Sequence, residues 1–128
     1  MIRIDLEQFL PEKLRFIGGE DLGYELRGKL ELDKVDKGDE SVEFVIGKKY
    51  FGVNHSFFYG LLYDSATILD REVFEEKYKV LSSNKDIVAN FNENIDKIYN
   101  IKELLSKRWD VWKILVYLAI LLKLAILQ

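Results

Sequence analysis

The chain predicts a small α/β domain, a sheet covered by helices, followed by a C-terminal hydrophobic helix. Three observations carry this. Strand-like and helix-like patterns alternate from Ile2 to Tyr99, which favours helices packed on a sheet. Val42–Ile46 (VEFVI) is a β-branched and aromatic run, as in a central strand covered on both faces. Ile114–Leu127 is apolar except for Lys123. The expected division is a domain over 1–100 and a basic, aromatic segment with a hydrophobic helix over 101–128.

Ile2, Ile4 and Leu6 alternate with Arg3 and Asp5, the period of a half-buried strand. Met1–Leu14 also carries Glu7 and Glu12 and no long apolar run, so no signal peptide is expected there. Pro11 is the only proline and ends the segment before it. Phe16-Ile17 reads as a second short strand.

Gly18-Gly19-Glu20-Asp21 opens a helix, because acidic residues in a first turn favour the dipole. Leu22, Leu26 and Leu30 form its apolar stripe, with Arg27 beside it. Asp33–Ser41 (DKVDKGDES) reads as a charged loop. After the central strand comes Asn54-His55-Ser56. Asn54 or Ser56 caps the next helix by accepting a free backbone N–H. Phe58, Leu61, Leu62, Ala66 and Leu69 define the helix face. Gly60 in mid-helix costs about 1 kcal/mol against alanine, which points to close packing. Asp70–Glu76 extends that helix or turns. Lys77–Leu81 alternates as a strand, with Tyr78 and Val80 on one face. Ile87, Phe91, Ile95 and Ile98 mark a last helix, with Asn90, Asn92 and Asn94 mostly off its apolar face.

Composition narrows function. There is no cysteine and one histidine, which excludes disulfides, thiolate metal sites and multi-histidine centres; no cofactor or metal is expected. Net charge is −3, but residues 100–128 hold five basic and two acidic residues, leaving the rest at −6. An acidic body does not suit phosphate neutralisation, so no nucleic-acid partner is expected. His55-Ser56 has no second carboxylate or oxyanion motif beside it, so no enzymatic activity is expected.

The tail predicts a membrane anchor. Val111–Gln128 is roughly 27 Å long as a helix, against about 30 Å of hydrocarbon. Its eleven Val, Ile and Leu residues contribute roughly −3 to −6 kcal/mol, and Lys123 opposes by about 2.5–3.5 kcal/mol. Lys123 is five residues from the end and snorkels. Trp109 and Trp112 are expected at the interface, with Lys107, Arg108 and Lys113 holding the body on the cytoplasmic side. Leu121 and Leu124 interrupt the side shared by Lys113 and Tyr117, so no sustained polar stripe is expected. The anchor residues are thus Trp109, Trp112, Lys113, Leu121 and Lys123. The alternative is a cytoplasmic homo-oligomer joined through residues 109–127.

Gly19–Arg27, Val42–Ile46, Gly52-Val-Asn-His-Ser-Phe-Phe-Tyr-Gly-Leu-Leu62 and Phe74–Val80 together resemble the bacterial STAS-like domain family of unassigned function, over about residues 15–98. The resemblance implies a fold related to anti-sigma-factor antagonists. It implies a regulatory, protein-binding role, with a histidine-kinase-like ATPase as the partner class. The strand–helix junction itself is expected to present the docking surface, at Asn54, His55, Ser56, Phe57 and Tyr59. The resemblance also implies a phospho-acceptor at His55 or Ser56, depending on how Asn54 aligns. Gly47 and Asn54 stand where those relatives carry acidic residues.

Overall fold

The computed structural model describes residues 1–127. These fall into two compact units, one ending at Ile98 and one starting at Tyr99. The first is mixed α/β, with two small parallel sheets covered by helices. Strands β1 (Ile2–Asp5), β3 (Val42–Val45) and β5 (Tyr78–Leu81) form a three-stranded sheet in the order β1-β3-β5. Strands β2 (Phe16–Ile17) and β4 (Gly52–Val53) form a second parallel pair. The helices are α1 (Glu20–Lys29), α2 (Leu32–Lys37), α3 (His55–Ile68), α4 (Arg71–Lys77) and α5 (Lys85–Ile126).

The β3 run sits between β1 and β5, both parallel to it. Its two faces differ, which corrects the expectation of cover on both. Val42 and Phe44 are buried, and the Phe44 ring stacks on Tyr78. Glu43 and Val45 are only half-buried. On that open face Arg3, Glu43 and Lys79 stand in register, with Arg3 Nε 3.0 Å from Glu43 Oε1. Opposite charges on neighbouring strands attract, and here the Glu43 side chain is only 15% exposed.

Asp33–Ser41 is not a loop throughout: α2 occupies its first half. Leu32 is fully buried and Asp36 is drawn inside, where Arg27 waits for it. Composition reads only solvation; a tertiary ion pair made this segment a helix. Glu31 enters it in the left-handed region, at φ 53°. Asp70–Glu76 resolves into a separate short helix, α4, after an extended Leu69.

Helices α1 and α3 lie side by side and run the same way, as their contacts in order demonstrate. A Cβ on Gly23 would meet Leu61 N at 2.8 Å and Phe57 O closer still. A Cβ on Gly60 would meet Glu20 C at 2.9 Å and Tyr24 N at 3.0 Å. The two glycines let the backbones touch, the close packing expected of Gly60.

Arg27 fastens the far half of this pair. It is 4% exposed. Its Nη1 donates to Leu61 O at 3.0 Å and Ser65 Oγ at 2.7 Å. Its Nη2 donates to Asp33 Oδ1 at 2.7 Å and Asp36 Oδ2 at 2.8 Å. Asp36 also accepts from Ser65 Oγ at 2.8 Å and from the Tyr78 hydroxyl. Burial works against the Arg27 charge, yet the Asp33 and Asp36 hydrogen bonds and charges raise its proton affinity overall. Lys77, also buried, gives its ammonium protons to Val35 O, Gly38 O and Glu40 O. Three carbonyls match its three donors.

From Tyr99 onward the chain is the remainder of α5, and the side chains from Val111 to Leu127 are exposed. The expected transmembrane span, Val111–Gln128, finds no support: no helix among the described residues is long and apolar enough to cross a membrane, and Gln128 lies outside those residues. The 18-residue stretch of α5 ending at Ile126 takes in Asp110 together with Lys113 and Lys123. Between the two lysines the apolar run is Ile114–Leu122, about 14 Å of helix against about 30 Å of hydrocarbon.

Candidate functional site

The junction predicted at Asn54–Tyr59 is the point where β4 hands over to α3. Of the two proposed caps, Asn54 is the one used. Its backbone is extended, and its Oδ1 accepts from Phe57 N at 3.0 Å. The same oxygen accepts from Gly19 N at 3.2 Å. One carboxamide therefore closes the N-termini of both α1 and α3, satisfying a free donor on each. Gly19 reaches this geometry at φ 101°, a region that L side chains rarely adopt.

The strand feeding the mouth is two residues long. One edge of β4 is joined to β2, with Phe51 N donating to Arg15 O and Asn54 N to Ile17 O. On the other side, three asparagine side chains replace a neighbouring strand. Asn84 Nδ2 donates to Phe51 O at 3.2 Å, Asn90 Nδ2 to Val53 O at 2.9 Å, and Asn94 Nδ2 to His55 O at 3.1 Å. Alternate carbonyls of an extended chain project to one side, so a rising helix meets 51, 53 and 55 in turn. Asn90 and Asn94 were read only as lying mostly off the apolar face, and Asn84 was given no role. Their spacing of six and four residues is the sole signal, and it does not by itself name a partner.

The remaining predicted residues separate into surface and core. Ser56 is exposed, and His55 and Tyr59 are partly exposed. Phe57 is fully buried against Phe58, so it belongs to the core and leaves the docking set. His55 Nε2 lies 3.2 Å from Glu93 Oε2. The ring is thus turned to a carboxylate on α5, and no His55–Ser56 side-chain hydrogen bond is present among the described residues. Tyr59 stacks on Tyr63 at 4.7 Å. Burial and then the neighbouring Tyr63 raise its hydroxyl pKa. Among the described residues, no group of three His, Asp or Glu residues could hold a metal ion.

Two surface aromatics were missed. Phe51 is 70% exposed and Phe16 40% exposed, with ring centroids 5.5 Å apart. They flank the mouth, since Gly52 and Gly18 lie directly under the Phe16 ring. Large apolar residues are ordinarily drawn inward, and a sequence does not mark the exceptions. A separate hollow of about 450 Å³, lined by Phe74, Tyr78, Phe91 and Ile95, lies between α4, β5 and α5. Arg71, paired with Glu75 and Asp96, stands beside it.

The five tail residues Trp109, Trp112, Lys113, Leu121 and Lys123 are all exposed on α5, and Lys113 Nζ lies 5.4 Å from the centroid of the Trp109 ring.

No protein-family model, curated protein or solved structure matches this chain.

Proposed function

We propose that the chain is a non-enzymatic, STAS-like regulatory module that docks a protein partner at the mouth formed by Asn54, His55, Ser56 and Tyr59, with Phe16 and Phe51 as its apolar anchors. The observation that carries this reading is the exposed Phe16–Phe51 pair set against a polar mouth whose groups are already engaged in holding the fold. Aromatic anchors beside a polar rim are the usual composition of a protein interface. The resemblance supplies the partner class, a histidine-kinase-like ATPase. Ser56 is the favoured phospho-acceptor. A phosphate on His55 would sit against Glu93, whereas Ser56 lies exposed in the first turn of α3, where the helix dipole favours a negative charge.

The tail adds location. We place the module at the cytoplasmic face of a membrane, held there by α5 without crossing it. A tether raises the effective concentration of a partner on the same surface. The second reading, a homo-oligomer joined through residues 109–127, is favoured by the same exposed apolar surface.

The test is co-expression with the histidine-kinase-like ATPases of the source organism, followed by binding measurements and intact-mass analysis. A complex weakened tenfold or more by Phe51→Ala, and a phosphate adduct abolished by Ser56→Ala, are the expected results. Binding that is indifferent to Phe51 sinks the docking surface. An adduct that survives Ser56→Ala sinks the acceptor.

A further inference from the structure

We infer that residues 101–117 of α5 form a docking face for anionic phospholipid, with Arg108 as the residue that engages lipid phosphate. This rests on the membrane tether proposed above, and adds the class of lipid and the group that reads it.

Two stripes carry the inference. In Val111–Gln128 alone, Leu121 and Leu124 interrupt the polar side. Within the second unit, residues 99–126 are one continuous stretch of α5, so positions three or four apart share a side back to Ile101. Glu103, Ser106, Asp110, Lys113 and Tyr117 then recur along one side. Ile101, Leu105, Trp112 and Leu115 recur along the opposite side, and those four side chains are exposed. A helix with a charged stripe facing an apolar stripe rich in Trp and Leu lies in a membrane interface. Beyond Tyr117 the helix is apolar on every side except at Lys123, so it sinks obliquely into the same leaflet, short of the full hydrocarbon thickness.

Arg108 decides between lipid and a second copy. It stands between Leu105 and Trp112 in the middle of the apolar stripe. Two such helices packed in parallel would bring guanidinium against guanidinium in the seam. Packed antiparallel, they would set each one among apolar side chains. Either arrangement buries a charge without an opposite one. At a lipid surface the long side chain bends back to the headgroups, and a phosphate accepts its paired N–H groups. The rest of the segment agrees. Lys102, Lys107 and Lys113 outnumber Glu103 and Asp110. Lys102 lies over the Tyr99 ring and Lys113 over the Trp109 ring, each at 5.4 Å. Aromatic rings beside basic groups suit the headgroup level.

The experiment uses the full chain, synthesised in a cell-free extract with vesicles present and then floated on a density gradient. One set of vesicles is phosphatidylcholine alone; the other is an equal mixture with phosphatidylglycerol. A lysine or arginine near an anionic surface strengthens binding by roughly fivefold. The expected result is flotation with both, at least fivefold stronger with anionic vesicles at low salt, the difference shrinking at high salt. Arg108→Gln should cut the anionic advantage several-fold and leave the neutral-vesicle value unchanged. Arg108→Lys keeps the charge but not the paired N–H groups, so it should restore part of it, which a merely misfolded helix would not do. Equal flotation with both vesicles overturns the lipid class while leaving the tether standing. No flotation with either, together with cross-linked pairs of the full chain through residues 109–127, overturns the tether itself and makes a second copy the occupant.

Discussion

Replacing Gly60 by alanine should destabilise the first unit, although the same change in an ordinary helix stabilises it. The helix-propensity gain is about 1 kcal/mol. Against it stands the new Cβ, 2.9 Å from Glu20 C, 3.0 Å from Tyr24 N and nearer still to Glu20 O. Carbon and carbonyl oxygen ordinarily approach no closer than about 3.3 Å, so α1 and α3 must separate by roughly 1 Å. Backbone has no rotamer to yield, and overpacking of this kind costs about 1–3 kcal/mol. Separation also stretches the Arg27 bond to Leu61 O and the Asn54 bond to Gly19 N, losing about half of the roughly 1 kcal/mol that each is worth. The balance is a net loss of about 1–3 kcal/mol. At about 4–8 °C per kcal/mol for a unit of this size, the melting temperature falls by roughly 5–20 °C. Both tryptophans lie in the second unit, so unfolding of the first must be followed by near-ultraviolet tyrosine dichroism. Gly23→Ala should behave like Gly60→Ala. Gly28→Ala is the internal control: it is helical and exposed, with nothing within 4 Å of its Cβ position, and should gain up to about 1 kcal/mol. If all three variants are stabilised alike, the helices are not in backbone contact and the packing account fails.

Two further outcomes follow from the buried polar network. Arg27→Met leaves Asp36 buried with only Ser65 and Tyr78 as donors. The expected loss is about 3–5 kcal/mol in urea unfolding, recovered in part by adding Asp36→Asn; a loss below about 1 kcal/mol would show the pair to be solvated. The Tyr78 hydroxyl has its pKa raised, first by burial and then by its hydrogen bond to Asp36. A raised folded pKa gives stability that is complete below the unfolded value of 10.0 and is lost as pH rises through the folded value. Unfolding free energy measured between pH 9 and 11 should therefore decline above about pH 10. The decline should be shallower in Tyr78→Phe, though not absent, because Tyr50 and Tyr59 are raised as well. An unchanged slope in Tyr78→Phe would refute the assignment.

What the sequence made legible is what depends on local pattern. The Val42–Ile46 run, the Asn54 cap, the Gly60 contact and the Ile87–Ile98 stripe each rest on periodicity, capping chemistry or a misplaced glycine. What it concealed depends on distant partners. Segment 33–41 reads as solvated because nothing local says that Asp36 will meet Arg27, Ser65 and Tyr78. Strand β4 is too short to carry a pattern, and its outer carbonyls are met by asparagine side chains rather than a strand. The Asn54–Tyr59 junction was legible as a strand-to-helix handover but not in which of its side chains are exposed. Phe57 turned inward, since helix period and burial decide its direction, while Phe16 and Phe51 nearby are exposed. The tail's expected span finds no support among the described residues: Val111–Gln128 was counted as a unit, Gln128 lies outside those residues, and the 18-residue stretch ending at Ile126 takes in Asp110 and both lysines.

The arrangement of fastenings bears on how the mouth would act. Helices α1 and α3 are held at their N-termini by the Asn54 carboxamide, in the middle by the Gly23 and Gly60 contacts, and farther along by Arg27. The strand leading into them is clamped by Asn84, Asn90 and Asn94. Opening the mouth would break several of these bonds together, at about 1 kcal/mol each plus the full penalty for any buried group left unmet. Under the proposed function, a phosphate on exposed Ser56 would supply charge and break none of them. Its effect on a partner would then be electrostatic, a change in the potential presented by a preformed surface, rather than a rearrangement of α3. The consequence is measurable: Ser56→Glu should alter partner affinity and its salt dependence while leaving amide hydrogen exchange in α1 and α3 as it is in the parent chain. Faster exchange in those helices would make the mouth a hinge and reverse the inference.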